Sequence, residues 1–442
     1  MIERRFPALL VRNYRLYASG QLTRQIGTWL QFTAQDWLVL QLSHNSPSAL
    51  GLVTACQFTP VLLFTLYAGK LADRFDKRKM MIMVASVFGV LALSLGLLVV
   101  TGVVQLWHVF AFAAAMGTVN AIEQPVRQAF VSEVVGAKLI PNAMALNGAT
   151  FNSARIIGPA LAGVLISVLG TGPVFLVNAV LCSGPVVSAL RMRVTELHRD
   201  GIGRRRPEDT KILDGLRYVW QRPDLTLTMG MILVVGMMGF NFQNTLAVLA
   251  KTVFHTGAQS FGLLTTALAV GALGGALAGS GRRGRPSMYL ILVAGTLFAF
   301  METLVGTAPN MLAAVLLLIP TGFFMIFFAQ AANQRVQLGA EPHVRGRVVA
   351  LYVLVFMGTT PVGAPLIGYL QEHFGARSGL WIGGLASMVA TLIALAVQFR
   401  RTRAQLRVHL RPTPHVHVWE PAGDDGAPVV HLRVPAVRPA AR

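Results

Sequence analysis

Long apolar runs alternate with short polar connections along most of this chain. Each run holds about 18 to 26 residues, and a helix of that length, rising 1.5 Å per residue, crosses a hydrocarbon core of about 30 Å. The pattern therefore predicts an all-α membrane protein. We predict twelve membrane-spanning helices, at residues 17–40, 48–69, 80–101, 106–124, 143–168, 172–190, 225–246, 259–279, 288–306, 311–328, 348–370 and 379–398.

Two groups of six runs resemble each other in sequence. Gly158-Pro-Ala-Leu-Ala-Gly163 matches Gly363-Ala-Pro-Leu-Ile-Gly368, and Gly51-Leu-Val-Thr54 matches Gly262-Leu-Leu-Thr265. Such a repeat predicts two six-helix halves related by an axis along the membrane normal. The predicted organisation is a first bundle at 1–190, a cytoplasmic linker at 191–224, a second bundle at 225–399 and a disordered cytoplasmic tail at 400–442.

The linker and the tail each allow a second interpretation. The linker contains a predicted amphipathic helix at about 210–221, which we interpret as resting on the membrane surface, with lipid or protein binding as the alternative. In the tail, His415, His417 and His431 could bind a metal, but they lack cysteines and a regular spacing, so we predict no metal site.

Composition supports membrane insertion and also predicts the orientation. The chain is 54% hydrophobic and only 13% charged, more apolar than a soluble domain of this length can hide. Its net charge of +20 comes largely from connections on one side of the predicted spans, whereas the six connections on the other side carry only Lys251 and Arg377. The positive-inside rule then places both termini in the cytoplasm, and nucleic acid is not an expected partner.

The charged segment Gly69-Lys-Leu-Ala-Asp-Arg-Phe-Asp-Lys-Arg-Lys79 predicts a cytoplasmic connection of about ten residues between the second and third spans. It resembles the loop between helices 2 and 3 of the major facilitator superfamily, with Asp76 in place of a second glycine. Gln124-Pro-Val-Arg-Gln-Ala129 and Arg345-Gly-Arg-Val-Val-Ala350 add to a resemblance to the bacterial drug and siderophore exporters of that superfamily, in particular the enterobactin-exporter-like branch.

This resemblance implies the major facilitator fold, a multi-pass location in the bacterial cytoplasmic membrane, a monomer without cofactors, and export of small drug-like or siderophore-like molecules by alternating access and proton antiport. An importer or facilitator is one alternative, and a non-transporting sensor or scaffold is another. The sequence has no phosphate-binding loop and no recognisable nucleophile and base pair, so we do not expect an enzyme.

Three polar residues in the first predicted span are candidates for transport chemistry. Asp36 is a proton-coupling candidate because a carboxylate at membrane depth is costly and usually faces a cavity or a partner. The alternative is an acid near the interface. Arg24 could neutralise an anionic substrate or extend its charge to the headgroups, and Gln31 is a further substrate-cavity candidate.

The seventh and ninth spans contribute the other intramembrane candidates. Asn241, Gln243 and Asn244 lie between aromatic residues and could bind a polar ligand, or could instead join helices by hydrogen bonds. Glu302 is a second proton-coupling candidate. Its alternative role is structural, because the family resemblance places the ninth span on the outside of the bundle.

A cytoplasmic gate and a bending helix complete the expectations. We expect Arg127 to meet Asp73 and Glu123 to meet Arg74 or a neighbour, as ion pairs that break in one state of the cycle, with a static surface network as the alternative. The predicted gate residues are Gly69, Asp73, Arg74, Arg78, Glu123 and Arg127. Gly158, Pro159 and Gly163 resemble the superfamily's antiporter motif, with Ala162 as a departure, and predict a kinked, closely packed fifth span.

Overall fold

A computed structural model describes residues 6–198, 212–282 and 284–402 and three short segments, 405–409, 415–419 and 431–433. Within these ranges the long helices run in alternating directions and pack side by side. The helices are α1 Arg12–Leu42, α2 Pro47–Arg74, α3 Lys77–Val100, α4 Leu106–Val135, α5 Ile140–Leu169, α6 Thr171–Leu181, α7 Ser183–Arg191, α8 Ile212–Gln221, α9 Pro223–Gly239, α10 Phe242–Val248, α11 Ala258–Ser280, α12 Met288–Thr307, α13 Met311–Gly339, α14 Arg345–Phe374 and α15 Ser378–Thr402.

The described part of the chain contains ten helical segments that are long and apolar enough to cross a membrane. Two further helices, α1 and α4, have 31 and 30 residues but interrupt their apolar stretches with charged residues such as Asp36 and Glu123. The bundle is therefore an all-helical, multi-pass membrane structure. Below, the terminus end is the end where α1 begins and α15 ends, and the far end is the opposite one.

The connection between α2 and α3 is much shorter than predicted. The helices continue to Arg74 and restart at Lys77, so only Phe75 and Asp76 lie between them instead of about ten residues. The backbone stays helical through the charged sequence because a helix can extend beyond the hydrocarbon without losing its internal hydrogen bonds. Asp76 caps α3 by accepting a 3.0 Å hydrogen bond from the backbone N–H of Lys79.

The seventh span is broken rather than continuous. Regular helix ends at Gly239 and restarts at Phe242, and the chain then forms a π-helix at Leu249–Val253. The side-chain amide of Asn241 donates to the carbonyl of Met237 at 2.8 Å, taking the place of a backbone donor in the helical ladder. The break places Gln243 and Asn244 at the start of a short helix instead of in mid-helix.

The two halves, α1–α7 and α9–α15, meet along two equivalent helix crossings, α2 with α14 and α5 with α11. A Cβ on Gly51 would lie 2.4 Å from the carbonyl oxygen of Ala364. At the equivalent place a Cβ on Gly262 would lie 2.4 Å from the carbonyl oxygen of Pro159. Both crossings thus bring backbone against backbone, and the repeated glycines seen in the sequence provide the space.

Two segments outside the bundle also have regular structure. Helix α8 occupies the predicted linker, with Val219 buried and Gly215 next to Arg347 of α14, while residues 199–211 lie outside the described part. In the tail, where the sequence analysis expects disorder, β1 Gln405–His409, β2 His415–Trp419 and β3 His431–Arg433 form an antiparallel sheet. The alternation of apolar residues in these segments favours strands. The side chains of His415, His417 and His431 lie outside the described part of the structure.

Candidate functional site

Asp36 lies at the junction of the two halves. It is 5% exposed, and its Oδ2 accepts a 2.8 Å hydrogen bond from the side-chain amide of Gln243 in α10. Asp36 stands six residues before the end of α1, which is about 9 Å along the helix from the far end. Two residues predicted separately, one as a coupling acid and one as a cavity residue, are therefore direct partners across the halves.

Further polar contacts surround this bond. Thr54 of α2 donates to the Oδ1 of Asn244 at 3.0 Å, which forms a second bond between the halves, and Gln35 donates to Gln57 at 3.0 Å within the first half. These residues are mostly buried, so the cluster is a set of hydrogen-bonded polar groups at membrane depth. Together with Asp36 and Gln243 they form what we call the central polar cluster.

Trp37 and Lys251 place an aromatic ring and a cation at the same junction between the halves. Its ring stacks on Phe261 of α11 with centroids 6.4 Å apart, and the ammonium group of Lys251 lies 5.3 Å from the Trp37 ring centroid. A cation over an indole face is attracted by the electron density of the ring. Lys251, which the sequence analysis placed in a connection, thus contacts the inter-half junction.

Arg24 and Glu123 form a buried ion pair inside the first half. The distance between Arg24 Nη2 and Glu123 Oε2 is 3.0 Å, and the guanidinium also lies 3.9 Å from the centroid of the Phe88 ring. The expectations that Arg24 reaches the headgroups and that Glu123 pairs with Arg74 are therefore wrong for this structure. The pairing follows from burial: both groups lie between packed helices, where an unpaired charge is far more costly than at the surface.

Two other cavity candidates bond within their own half. Gln31 accepts a 2.7 Å hydrogen bond from Asn178 of α6 and points its amide nitrogen at the sulfur of Met116, 3.0 Å away. Asn241 donates to its own helix, as described above. For Asn241 this contact matches the alternative of structural hydrogen bonding. The structure brings Gln243 and Asn244, but neither Gln31 nor Asn241, to the central polar cluster.

The predicted gate residues at the terminus end bind within the first half. Arg78 donates to the backbone carbonyls of Ala189 and Leu190, at 2.7 and 3.2 Å, and Arg127 donates to Gln124 at 2.7 Å. Arg74 is exposed, and a Cβ on Gly69 would meet nothing within 4 Å. The side chain of Asp73 lies outside the described part, so the expected contact with Arg127 stays a prediction.

A contact that sequence reasoning missed joins the two halves at the far end. Glu372 of α14 accepts hydrogen bonds from the hydroxyl of Ser46, at 2.9 Å, and from the backbone N–H of Ser48, at 3.0 Å. We call this contact the far-end latch. The repeat offered a signal for it, because the two-fold arrangement that the repeat predicts pairs the second span with the eleventh and brings polar residues at their far ends together.

Glu302 is separate from the central polar cluster. It lies in α12, is 2% exposed, and its Oε2 has no hydrogen-bond partner in the described part of the chain. A Cβ on Gly239, the last residue of α9, would lie 2.8 Å from that oxygen. The structure therefore places this acid against the break in the seventh span.

The glycines of the predicted bending motif lie at two different helix contacts. A Cβ on Gly158 would stand 2.3 Å from the Cβ of Trp29 in α1, and a Cβ on Gly163 would stand 2.8 Å from the carbonyl of Ala258 in α11. Pro159 lies within a helix that continues on both sides. The motif thus permits close approach both inside the first half and between the halves.

The relatives found by sequence comparison are transporters, and the matches extend over the whole helical bundle. The profile of the transmembrane secretion effector family matches residues 9–431. The staphyloferrin A transporter of Staphylococcus aureus is 25% identical over 386 residues, covering 86% of this chain and 94% of the relative. The multidrug efflux pump Tap of Mycolicibacterium fortuitum is 27% identical over 416 residues, covering 89% of this chain and 96% of the relative.

Solved structures share the fold at low identity. The nucleoside transporter NupG aligns with a TM-score of 0.70 at 10% identity, over 88% of this chain and 99% of that chain. A bacterial homolog of the human lysosomal transporter Spinster, inward-facing and occupied, aligns with a TM-score of 0.68 at 15% identity, over 93% and 99%. These neighbours are transporters rather than enzymes. The chain therefore belongs to the transmembrane secretion effector family of the major facilitator superfamily.

Proposed function

We propose that this protein is a twelve-span exporter of small drug-like or siderophore-like molecules that uses proton antiport, with Asp36 as the coupling acid. The observation that carries the proposal is the hydrogen bond between Asp36 and Gln243, because it joins the two halves at membrane depth. Protonation of Asp36 changes a charged acceptor into a neutral one, and hydrogen bonds to charged groups are the stronger kind. The charge on Asp36 then biases how firmly the halves hold together at the far end.

The distribution of contacts supports an alternating-access cycle. In the described part of the chain, hydrogen bonds between the two halves involve Asp36, Thr54 and the latch at Glu372. In addition, the hydroxyl of Thr266 donates to the carbonyl of Ile156. The charged residues at the terminus end bind within their own half instead, Arg78 and Arg127 in the first and Arg285 with Asp224 in the second. With both termini in the cytoplasm, as the charge distribution predicts, this arrangement corresponds to a state closed to the outside.

The names of the relatives support export of amphipathic molecules. One relative is described as a transporter of staphyloferrin A and another as a multidrug efflux pump. In this chain, the junction offers amide groups on Gln243 and Asn244 and an aromatic face with a cation on Trp37 and Lys251. Such a mixture suits a ligand that carries both polar and aromatic groups.

The decisive experiment measures efflux of a panel of dyes, antibiotics and siderophores from cells that express the chain, with and without a protonophore. We expect efflux that the protonophore abolishes and that Asp36→Asn, which keeps the size and the acceptor for Gln243, also abolishes. Glu196→Gln is the control, since Glu196 forms an exposed ion pair with Arg193 in the linker that follows the first half. Normal driven efflux by Asp36→Asn would remove Asp36 from the coupling step.

Reconstituted vesicles determine the direction of transport. A proton gradient applied to purified protein should expel substrate from vesicles in exchange for protons. Uptake of substrate together with protons would instead make the chain an importer and overturn the export assignment. Deletion of residues 403–442 tests the sensor alternative, because transport that persists without the tail argues against a signalling role.

A further inference from the structure

The clearest unexplained feature outside the central polar cluster is the surroundings of Glu302. Its Oε2 and the hydroxyl oxygen of Ser387 in α15 are both buried and both without a hydrogen-bond partner in the described part of the chain. Ser387 is fully buried, and Glu302 is 2% exposed. Buried polar atoms in folded proteins are nearly always hydrogen-bonded, so two such unpartnered oxygens close together indicate a binding site.

The oxygens of Glu302, Ser387 and Met238 lie close together at the break in the seventh span. A Cβ on Gly239 would lie 2.8 Å from Glu302 Oε2 and 3.0 Å from Ser387 Oγ, although those two oxygens are not bonded to each other. A Cβ on Gly383 would lie 2.6 Å from the carbonyl oxygen of Met238 and 3.0 Å from Glu302 Oε1. A carboxylate, a hydroxyl and a backbone carbonyl at a helix break are the oxygen donors that intramembrane cation sites use.

No charged side chain of the neighbouring helices compensates Glu302. The charged residues of α9, α13 and α15 are Asp224, Arg335, Arg400 and Arg401, all near the terminus end of their helices. Gly239 lies fifteen residues from Asp224, which is about 22 Å along a helix. Arg377, at the far end, donates to the carbonyl of Gly306 at 2.8 Å and makes no ion pair with Glu302 among the described contacts.

We propose that Glu302, Ser387 and the carbonyl of Met238 bind a small monovalent cation, either a proton or a sodium ion, at the break in the seventh span. An ionised carboxylate in this position would be a buried charge without a partner, which is among the most costly arrangements in a protein. A proton lets Glu302 donate to a neighbouring oxygen, and a sodium ion is coordinated by the same oxygens. Both occupants neutralise the same charge.

The site connects to the inter-half junction through a short path. Gln243, which bonds to Asp36, lies four positions after Gly239. The ring of Phe298, one turn before Glu302 in α12, contacts Phe240 in the break and Phe242 directly after it, with centroids 5.5 and 6.1 Å apart. Release of the cation would place a negative charge against this hinge, so occupancy of the site and the position of α10 are linked.

The test measures sodium binding and carboxyl protonation rather than transport, so its result does not depend on whether the protein exports a substrate. Purified full-length protein in nanodiscs is titrated with radioactive sodium, and infrared difference spectra against Glu302→Gln record the C=O stretch of a protonated carboxyl in sodium-free buffer at neutral pH. We expect one of two signals: saturable sodium binding, or a protonated carboxyl. Either signal should vanish in Glu302→Gln and persist in Asp36→Asn.

Ser387→Ala and Glu341→Gln complete the design. Loss of one hydrogen-bonding oxygen at Ser387 should weaken sodium affinity about fivefold, or shift the carboxyl band in the proton case. Glu341, exposed in the same half beside His343, serves as the control and should leave both signals unchanged. Absence of both signals in the native protein, or a signal that Glu302→Gln retains, would overturn the proposal.

Discussion

Gly51 and Gly262 occupy equivalent positions in the two halves, and a methyl group at either one should force the far end open. A Cβ on Gly51 would lie 2.4 Å from the carbonyl oxygen of Ala364 and 2.9 Å from the Cα of Pro365. On Gly262 it would lie 2.4 Å from the carbonyl oxygen of Pro159. These are backbone atoms of the opposite half, so no side-chain rotation can relieve the overlap.

The size of the effect follows from the overlap. An ordinary contact begins at 3.4 Å, so alanine at either position requires the halves to separate by about 1 Å at that crossing. Overpacking of this kind costs about 1–3 kcal/mol. In a protein that alternates between a closed and an open far end, the open state escapes the cost, and the equilibrium should move about 5- to 150-fold toward it.

Distance measurements between spin labels at the far end provide the assay. Labels at Gln41 in the first half and Phe374 in the second half, both exposed, report the separation of the halves in protein whose native cysteines Cys56 and Cys182 have been replaced. Gly51→Ala and Gly262→Ala should each enlarge the population with long distances and slow transport.

The matched control is Gly148→Ala in α5, where a Cβ would meet nothing within 4 Å. It should leave the distribution of distances and the transport rate unchanged. Unchanged distributions for both Gly51→Ala and Gly262→Ala would refute the reasoning, because the close backbone contacts at the two crossings would then not restrain the far end.

Two further predictions concern the ion pair and the latch. Glu123→Gln leaves Arg24 buried without its counter-charge, so we expect a loss of about 3–5 kcal/mol of unfolding free energy, seen as a lower thermal unfolding temperature in detergent. The double variant Arg24→Leu with Glu123→Leu should recover most of that loss, and a double variant as unstable as the single one would contradict the prediction. Glu372→Gln weakens the hydrogen bonds from Ser46 and Ser48. Because Glu372 is exposed, we expect the population with an open far end, measured with the same labels, to grow only two- to fivefold (about 0.5–1 kcal/mol). A shift above tenfold would contradict the prediction, because it is too large for an exposed contact.

Sequence reasoning predicted the elements that depend on local composition. The long apolar runs predicted an all-helical membrane bundle, and the motifs at 69–79, 124–129 and 345–350 predicted the superfamily. Both predictions are confirmed. These features are readable because insertion into lipid requires continuous helices with internally bonded backbones. Asp36, singled out as a carboxylate inside a span, is buried in the structure, and its role as a coupling acid stays a proposal.

The partners of those groups were harder to predict. Glu123 pairs with Arg24 instead of Arg74, because helix packing, rather than position along the chain, decides which buried charges meet. The break at Phe240 and Asn241 was invisible in the apolar pattern, since it depends on a side-chain amide that replaces a backbone donor. The far-end latch joins Glu372 to Ser46 and Ser48, which are more than 320 positions away.

By itself, then, the sequence determined that the chain lies in a membrane and that it is helical, and its internal repeat predicted two related halves. These properties depend on hydrophobicity and on repetition, and both are local or periodic features of the chain. Only the tertiary structure decided that Asp36 faces Gln243 and that Glu302 lies against the break in the seventh span. Such contacts depend on how helices distant in sequence rotate and cross, and packing of the whole bundle selects that arrangement.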